Sequence, residues 1–153
     1  MAEVVETGKL NQQEINSFLS RAIIARIATS SPDTNRPHVV PVWFSWDGKS
    51  IWISSYRSTK KVEDLINNPF CSIVIDEAES GVDYQAVVLE GKAELVEQPA
   101  DQVKEKITQI YTHYLGTTGV LASDPQEWIN DPENLLIKLT PEKIISWYSR
   151  SEE

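Results

Sequence analysis

Two runs of β-branched and aromatic residues, separated by a turn signal, constrain the fold of this chain more than any other feature. The runs are His38–Trp46 and Ile51–Ser55, and Asp47-Gly48 lies between them. β-Branched and aromatic side chains favour strands, and glycine tolerates the positive φ that tight hairpin turns require. The segment therefore predicts a β-hairpin.

Strand-like runs recur before and after this hairpin. They are Ala22–Thr29, Phe70–Ile75, Tyr84–Leu95, Leu135–Leu139 and Ile144–Tyr148. Turn-forming residues follow the first run, and an acidic, glycine-containing stretch separates the second from the third, so both intervals are predicted as loops. About six strands with a few helices predict a β-barrel with helical additions.

Three segments change to helical spacing. Asn11, followed three residues later by Glu14, predicts a capping box at the start of the first helix. Thr59–Asn67 predicts a short second helix, capped by its first residue, and Pro99–Leu115 predicts a longer third helix. The stretch Val120–Asn134 is interpreted as an irregular excursion, and its sequence assigns it no role.

Length and charge limit the classes of protein. A chain of 153 residues predicts one domain, residues 1–153. Fourteen basic against 23 acidic residues give a net charge of −9, which disfavours binding to nucleic acids and to anionic membranes. The N-terminus lacks the pattern of a signal peptide and no run of 18 apolar residues occurs, so we expect a cytoplasmic protein that binds no membrane.

Cysteine and histidine are scarce. Cys71 is the only cysteine, so an intrachain disulfide and a multi-cysteine metal site are both excluded. His38 and His113 have no further ligands at a recognisable metal-binding spacing, and no metal site is predicted.

Hydroxyl and cationic side chains concentrate where the hairpin's second strand ends and the second helix begins. They are Ser54, Ser55, Arg57, Thr59, Lys60 and Lys61. A phosphate at such a junction would meet backbone N–H groups at the positive end of the helix dipole, together with hydroxyl donors and cations. The residues alone also permit a solvated loop before a capped helix, so both interpretations stay open at this point.

The order of motifs adds a further indication. The chain contains Pro41-Val42-Trp43-Phe44, the Asp47-Gly48 turn, Ile51–Ser55, Thr59-Lys60-Lys61, Leu65–Pro69, Glu90–Glu94 and Tyr114-Leu115-Gly116. In this order the motifs resemble the pyridoxamine 5′-phosphate oxidase-like family, from about Leu10 to Trp147.

The resemblance implies a mainly β (α+β) fold, a six-stranded split β-barrel with flanking helices that binds FMN in a cleft between the subunits of a homodimer. It implies that Lys61, with Lys60 beside it, contacts the phosphate, and that Ser54, Ser55 and Thr59 lie near the phosphate and ribityl chain. It further implies that Val40, Pro41, Val42 and Trp43 run along the isoalloxazine ring. Trp147 resembles an aromatic residue that reaches the partner's flavin, although a core position on the closing strand explains it equally well.

Departures from the family pattern concern the substrate. The vitamin-salvage oxidases of the family carry Arg-x-His near the C-terminus, where this chain has Trp147–Glu153. Their substrate-contacting lysine is matched by Phe44, and their flavin-contacting glutamine has only Gln85 next to its position. Oxidation of pyridoxine phosphate is therefore not predicted.

The resulting expectation is an FMN-dependent oxidoreductase acting on a small molecule. A flavin supplies the redox chemistry itself, so no catalytic side chain is assigned. A deazaflavin-dependent reductase and a flavin carrier or sensor without turnover are the alternatives, and neither the substrate nor the electron donor follows from the sequence.

Overall fold

The computed structural model describes residues 5–151, which form nine strands and four helices. The strands are β1 Val5–Gly8, β2 Ala25–Ser30, β3 Pro37–Val42, β4 Phe44–Trp46, β5 Ile51–Tyr56, β6 Phe70–Ser80, β7 Asp83–Val96, β8 Asn134–Leu139 and β9 Lys143–Ser151. The helices are α1 Gln12–Leu19, α2 Lys60–Asn67, α3 Ala100–Gly119 and α4 Ser123–Ile129. Residues 1–4 and 152–153 of the predicted single domain lie outside the described residues.

Strand β7 joins the two halves of an antiparallel sheet. Its larger N-terminal part pairs with β6 and β9, whereas Ala93–Val96 pairs with β8. The strand order is β3-β2-β6-β7-β8-β5-β4, with β9 beside β7 and β1 beside β9. This mainly β architecture with flanking helices confirms the predicted fold class; it has nine strands in the described range where the sequence predicted about six.

The inward-facing residues of both halves form the main core. Ile27, Ile53, Ile73 and Leu89 are fully buried in it. A second apolar cluster lies between α3, α4 and β8, where Ile107 and its neighbours on α3 are buried. Helices α3 and α4 therefore cover the half of the sheet that contains β4, β5 and β8.

The starts of the first two helices differ in how they are capped. The Asn11 side chain accepts a hydrogen bond from the Glu14 N–H at 2.8 Å, and the Glu14 carboxylate accepts one from the Asn11 N–H at 3.1 Å, which confirms the predicted capping box. Thr59 occupies the N-cap position of α2, but its hydroxyl donates to the Tyr56 carbonyl oxygen at 2.9 Å. The predicted side-chain cap is therefore absent from α2.

The predicted first hairpin strand, His38–Trp46, is two strands. Val40 of β3 pairs with Ile27 of β2, whereas Phe44 of β4 pairs with Ile53 of β5, and the chain changes partner at Trp43. The hairpin itself is confirmed for β4 and β5. Local periodicity shows that a segment is extended, but it carries no information on which strand it pairs with.

Three other segments also differ from expectation. The predicted acidic loop after Ile75 is a continuation of β6 and β7, which turn at Gly81 with a φ of 55°. The predicted irregular stretch Val120–Asn134 contains α4, and the sequence did not predict β1. In each case pairing or packing with a distant element stabilises a segment whose own composition favours a loop.

No helix within residues 5–151 is both long and apolar enough to cross a membrane.

Candidate functional site

A cleft of about 380 Å³ opens where β3 gives way to β4, next to the end of β5 and the first turn of α2. Its size falls within the usual range of small-molecule sites. The lining residues are Ile24, Pro41, Val42, Trp43, Ser54, Ser55, Tyr56, Lys61, Tyr111 and Asn134. Apolar and aromatic side chains dominate, and the polar groups are few.

Trp43 forms the wall at the change of strand partner. Its indole stacks on Tyr114 of α3 with ring centroids 4.7 Å apart and meets Tyr111 edge-on at 5.5 Å. The Tyr114 hydroxyl accepts from the Phe44 N–H at 3.2 Å and donates to the Ile23 carbonyl oxygen at 2.6 Å. One helix thus fixes both the indole and the two chain segments that border the cleft.

The aromatic wall continues towards the surface. Tyr111 lies 5.9 Å from Trp128 of α4, centroid to centroid, and Trp128 is 40% exposed.

Two tyrosines at the site have raised pKa values. Burial raises the pKa of Tyr114 to about 12. Burial also raises the pKa of Tyr56, with smaller contributions from nearby Tyr111 and Asp131. Both phenols are therefore neutral hydrogen-bonding groups at physiological pH.

Lys61 supplies the positive charge of the cleft. The side chain lies in the first turn of α2 and is partly buried, and this burial lowers the pKa of its ammonium group. No carboxylate of residues 5–151 lies within ion-pair distance of it. Lys61 therefore brings an uncompensated charge to the end of the cleft where α2 presents N–H groups without a side-chain cap.

Hydroxyl groups flank this cationic end. Ser54 and Ser55 line the cleft at the end of β5, and the Ser55 hydroxyl lies 3.1 Å from that of Thr59. Thr59 does not line the cleft itself but holds the adjacent turn through its bond to the Tyr56 carbonyl oxygen. Such hydroxyls can donate to phosphate or ribityl oxygens.

The structure brings together six of the residues that the sequence indicated for cofactor binding. Pro41, Val42, Trp43, Ser54, Ser55 and Lys61 all line the cleft. This places both the phosphate-type motif and part of the predicted ring-binding strand at one site.

The remaining candidates lie elsewhere. Val40 packs against the main core, and the Arg57 guanidinium pairs with Glu97 at 2.7 Å. The Lys60 ammonium pairs with Asp64 at 2.8 Å instead of lining the cleft. Trp147 is 43% exposed on β9 and lines no part of this cleft.

The departures from the family pattern also have structural positions. Phe44, at the position of the lysine expected in the vitamin-salvage oxidases, is buried in the core with 1% exposure. Gln85 lies on β7 and is not among the residues lining the cleft. Phe44 therefore does not replace the substrate-contacting lysine of the vitamin-salvage oxidases, and Gln85 does not replace their flavin-contacting glutamine.

Sequence reasoning missed four lining residues. They are Ile24, Tyr56, Tyr111 and Asn134. Tyr111 follows Ile107 at helical spacing, a signal for the core face of α3 that does not identify a cleft. Asn134 belongs to the stretch interpreted as irregular, and its pairing with Tyr56 across β5 and β8 brings it to the site.

Residues 5–151 contain no group of three or more His, Cys, Asp or Glu side chains arranged to hold a metal ion.

Comparisons with known proteins agree with this architecture. The model of the pyridoxamine 5′-phosphate oxidase family matches residues 12–148. A conserved hypothetical protein from Mycobacterium tuberculosis has a similar structure, with a TM-score of 0.76 at 20% identity over 91% of this chain and 85% of its own. A comparison with curated proteins gives no match.

Two further solved structures have names that describe a function. A FAD-binding protein from Mesorhizobium loti gives a TM-score of 0.71 at 21% identity, over 98% of this chain and 100% of its own. A protein described as an F420 reductase gives 0.66 at 22% identity, over 84% and 94%. Identities at this level show a shared fold.

Proposed function

The chain belongs to the pyridoxamine 5′-phosphate oxidase family, and on that premise we propose that it is an FMN-binding oxidoreductase acting on a small-molecule substrate. The observation that carries the proposal is Lys61, a partly buried cation without a carboxylate partner among residues 5–151. In a chain of net charge −9, an uncompensated cation in a cleft favours an anionic ligand.

The chemistry of the cleft fits the two ends of FMN. Lys61, the uncapped start of α2 and the hydroxyls of Ser54 and Ser55 would hold the phosphate. The apolar walls at Val42 and Trp43 would hold the flat ring system. An anion bound at this end also offsets the effect of burial on Lys61, because an opposite charge favours the ammonium form.

The protein's part in the reaction is binding and orientation. FMN, when bound, supplies the two-electron chemistry. Trp43, fixed by Tyr114, keeps one wall of the cleft rigid, and the apolar lining excludes water from the ring-binding end. The hydroxyls of Tyr56 and Tyr111 provide hydrogen-bonding groups for a substrate in the same cleft.

We also propose that the protein is a homodimer, because one side of the sheet carries an apolar row. The row crosses five strands through the paired residues Pro41, Arg26, Val74, Val88 and Ile145. This row, together with Val39 of β3 and Trp147 of β9 on the same side of the sheet, is called the outer face below. Apart from Arg26, the row is apolar.

The outer face also contains strongly exposed apolar side chains. Val39 is 62% exposed and Trp147 is 43% exposed, and both share the side of their strands that carries the row. Extended apolar surface of this kind is typical of protein interfaces. Pro41 belongs to both the outer face and the cleft, so a second copy covering this face would also border the ligand. In such a dimer Trp147 would be able to contact the cofactor bound by the partner, although it does not line the cleft of its own chain.

A deazaflavin coenzyme is the second candidate. The F420 reductase with a similar structure favours it, and the cleft's phosphate-type end suits either coenzyme. The two are distinguished by the absorption spectrum of protein titrated with each cofactor.

The test of the proposed function is cofactor binding by purified protein. We expect FMN to bind and to bind more tightly than riboflavin, because only FMN carries the phosphate. Lys61→Met should weaken FMN binding about 10- to 100-fold, as expected for the loss of a charge-assisted contact, and leave riboflavin affinity nearly unchanged. Lys49→Met, in the exposed turn between β4 and β5, makes the same change in net charge and should leave both affinities at the wild-type level.

Other outcomes separate the alternatives. Equal FMN affinity in wild type and Lys61→Met would show that the cleft does not hold the phosphate. Tight binding of the deazaflavin with no measurable FMN binding would favour the second candidate. Turnover of the bound flavin with NADH or NADPH and an electron acceptor would distinguish an enzyme from a flavin carrier.

A further inference from the structure

A carboxylate is buried on α2, the helix whose first turn contributes Lys61 to the cleft. Asp64 is 1% exposed. One oxygen, Oδ1, accepts from the Lys60 Nζ at 2.8 Å, and Oδ2 accepts from the Thr29 hydroxyl on β2 at 2.8 Å. None of the three residues lines the cleft.

The contact between Lys60 and Asp64 directs Lys60 away from the cleft that the adjacent Lys61 lines. Lys60 and Asp64 are four residues apart and therefore share one side of α2, the side that faces β2. Lys61, about 100° further round the helix, reaches the cleft instead. The sequence motif presents two neighbouring cations, but the fold leaves one of them facing the ligand site.

Stability alone is a weak reason for such a pair. Only one partner is buried, since the Asp64 side chain is 1% exposed and that of Lys60 is 47% exposed, and neither exposed nor buried ion pairs contribute much net stability. A buried carboxylate close to an anion-binding site would, however, repel the anion strongly, because the interior screens charge poorly. The Lys60 ammonium donates to that carboxylate at 2.8 Å and offsets its charge, and His38 of β3 is the other basic group that acts on Asp64.

We infer that Lys60 supports phosphate binding indirectly, by neutralising the buried Asp64, and that Lys61 is the lysine that contacts the phosphate. The inference rests on the proposed function and goes beyond it. Lys60 is then a positioning residue of the site, because it removes the repulsion that the Asp64 carboxylate would exert on a bound phosphate.

The test compares FMN with riboflavin in Lys60→Met, Asp64→Asn and the double variant, at pH 8. The ratio of the riboflavin Kd to the FMN Kd isolates the phosphate's contribution. Lys60→Met leaves Asp64 uncompensated, and we expect the ratio to fall about tenfold. In the double variant neither charge is present, and we expect the ratio to return to within about twofold of wild type. Asp64→Asn alone should keep the wild-type ratio or raise it.

The rescue decides between an indirect and a direct role. If Lys60 touched the phosphate, the double variant would stay as weak as Lys60→Met, and that result overturns the inference. An unchanged ratio in Lys60→Met overturns it as well. Lys49→Met is the control for net charge, and thermal melting shows whether each variant is folded. If the Asn double variant does not fold, Lys60→Met with Asp64→Leu replaces it, because an apolar residue suits a site without the lysine.

Failure of the proposed function would look different. A wild-type protein that binds FMN and riboflavin equally has no phosphate site, and both proposals then fail. A wild type that prefers FMN, combined with variants that do not show the rescue, leaves the phosphate site intact and rejects only the role of Asp64.

Discussion

The indole of Trp43 lies flat on the ring of Tyr114, with centroids 4.7 Å apart and planes only 4° from parallel. The stacked pair lies where the chain leaves β3 for β4, and the Tyr114 hydroxyl bonds to the backbone at the start of β4 and just before β2. Helix α3 therefore holds in place the point at which one half of the sheet passes into the other. Three residues at this change of partner, Pro41, Val42 and Trp43, line the cleft.

Tyr114→Phe should destabilise the protein while keeping the stacked ring. The variant leaves the Phe44 N–H and the Ile23 carbonyl oxygen without their partner, and we expect a loss of about 1–3 kcal/mol in the free energy of unfolding. Urea denaturation followed by tryptophan fluorescence measures it. Tyr111→Phe, which keeps its edge contact with Trp43, is the matched control and should lose less. Equal stability of wild type and Tyr114→Phe would contradict the bridging role.

Local patterns in the sequence predicted most helices and strands, because each depends on nearby residues. The capping box at Asn11 and Glu14 is an example: both hydrogen bonds join residues three apart. The change of partner at Trp43 was not predictable in this way. It depends on Tyr114, 71 positions later in the chain, and on strands that pair with β3 and β4 from opposite halves of the sheet.

In the candidate site, too, features that depend on nearby residues were predicted and features that depend on distant residues were not. The hydroxyl and cationic motif predicted a ligand site between β5 and α2, and three of its residues, Ser54, Ser55 and Lys61, line one cleft. The spacing of Lys60 and Asp64 permits their pairing on the helix, but the burial of Asp64 could not be predicted, because it depends on Thr29 of a different strand. Tyr111 was missed for a related reason, since a helix residue at core spacing gives no sign that it borders a cavity.

Replacement of Val39 by Asp should disrupt the proposed dimer. A charge placed on the outer face would have to be buried without a partner in the dimer, at a cost of several kcal/mol. We expect wild-type protein to sediment as a dimer and Val39→Asp as a monomer. Leu121→Asp is the matched control, because Leu121 is 70% exposed in the turn between α3 and α4 and does not belong to the outer face. A monomeric wild type would refute the dimer proposal.

Cys71 should resist thiol reagents in the folded protein. The thiol is buried, and burial raises its pKa from 9.0 to about 11, so almost no thiolate is present at pH 8. We expect reaction with Ellman's reagent to be very slow in native protein and rapid in guanidinium chloride. Because the folded pKa is the higher one, the thiol's contribution to stability is complete below pH 9 and declines as the pH rises towards 11. Rapid native-state labelling would show that the strand around Cys71 opens readily.

Arg57→Ala should have almost no effect on FMN binding, although Arg57 lies within the motif that indicates the phosphate site. Its guanidinium pairs with Glu97 at 2.7 Å and lies outside the cleft lining. The pair is exposed to solvent, and exposed pairs contribute about 0–1 kcal/mol, so stability should change little as well. We expect an FMN Kd within about twofold of wild type, against a 10- to 100-fold increase for Lys61→Met. A large effect of Arg57→Ala would mean that the ligand draws the guanidinium away from Glu97, and the phosphate end of the cleft would then extend beyond Ser55 and Lys61 into the turn between β5 and α2.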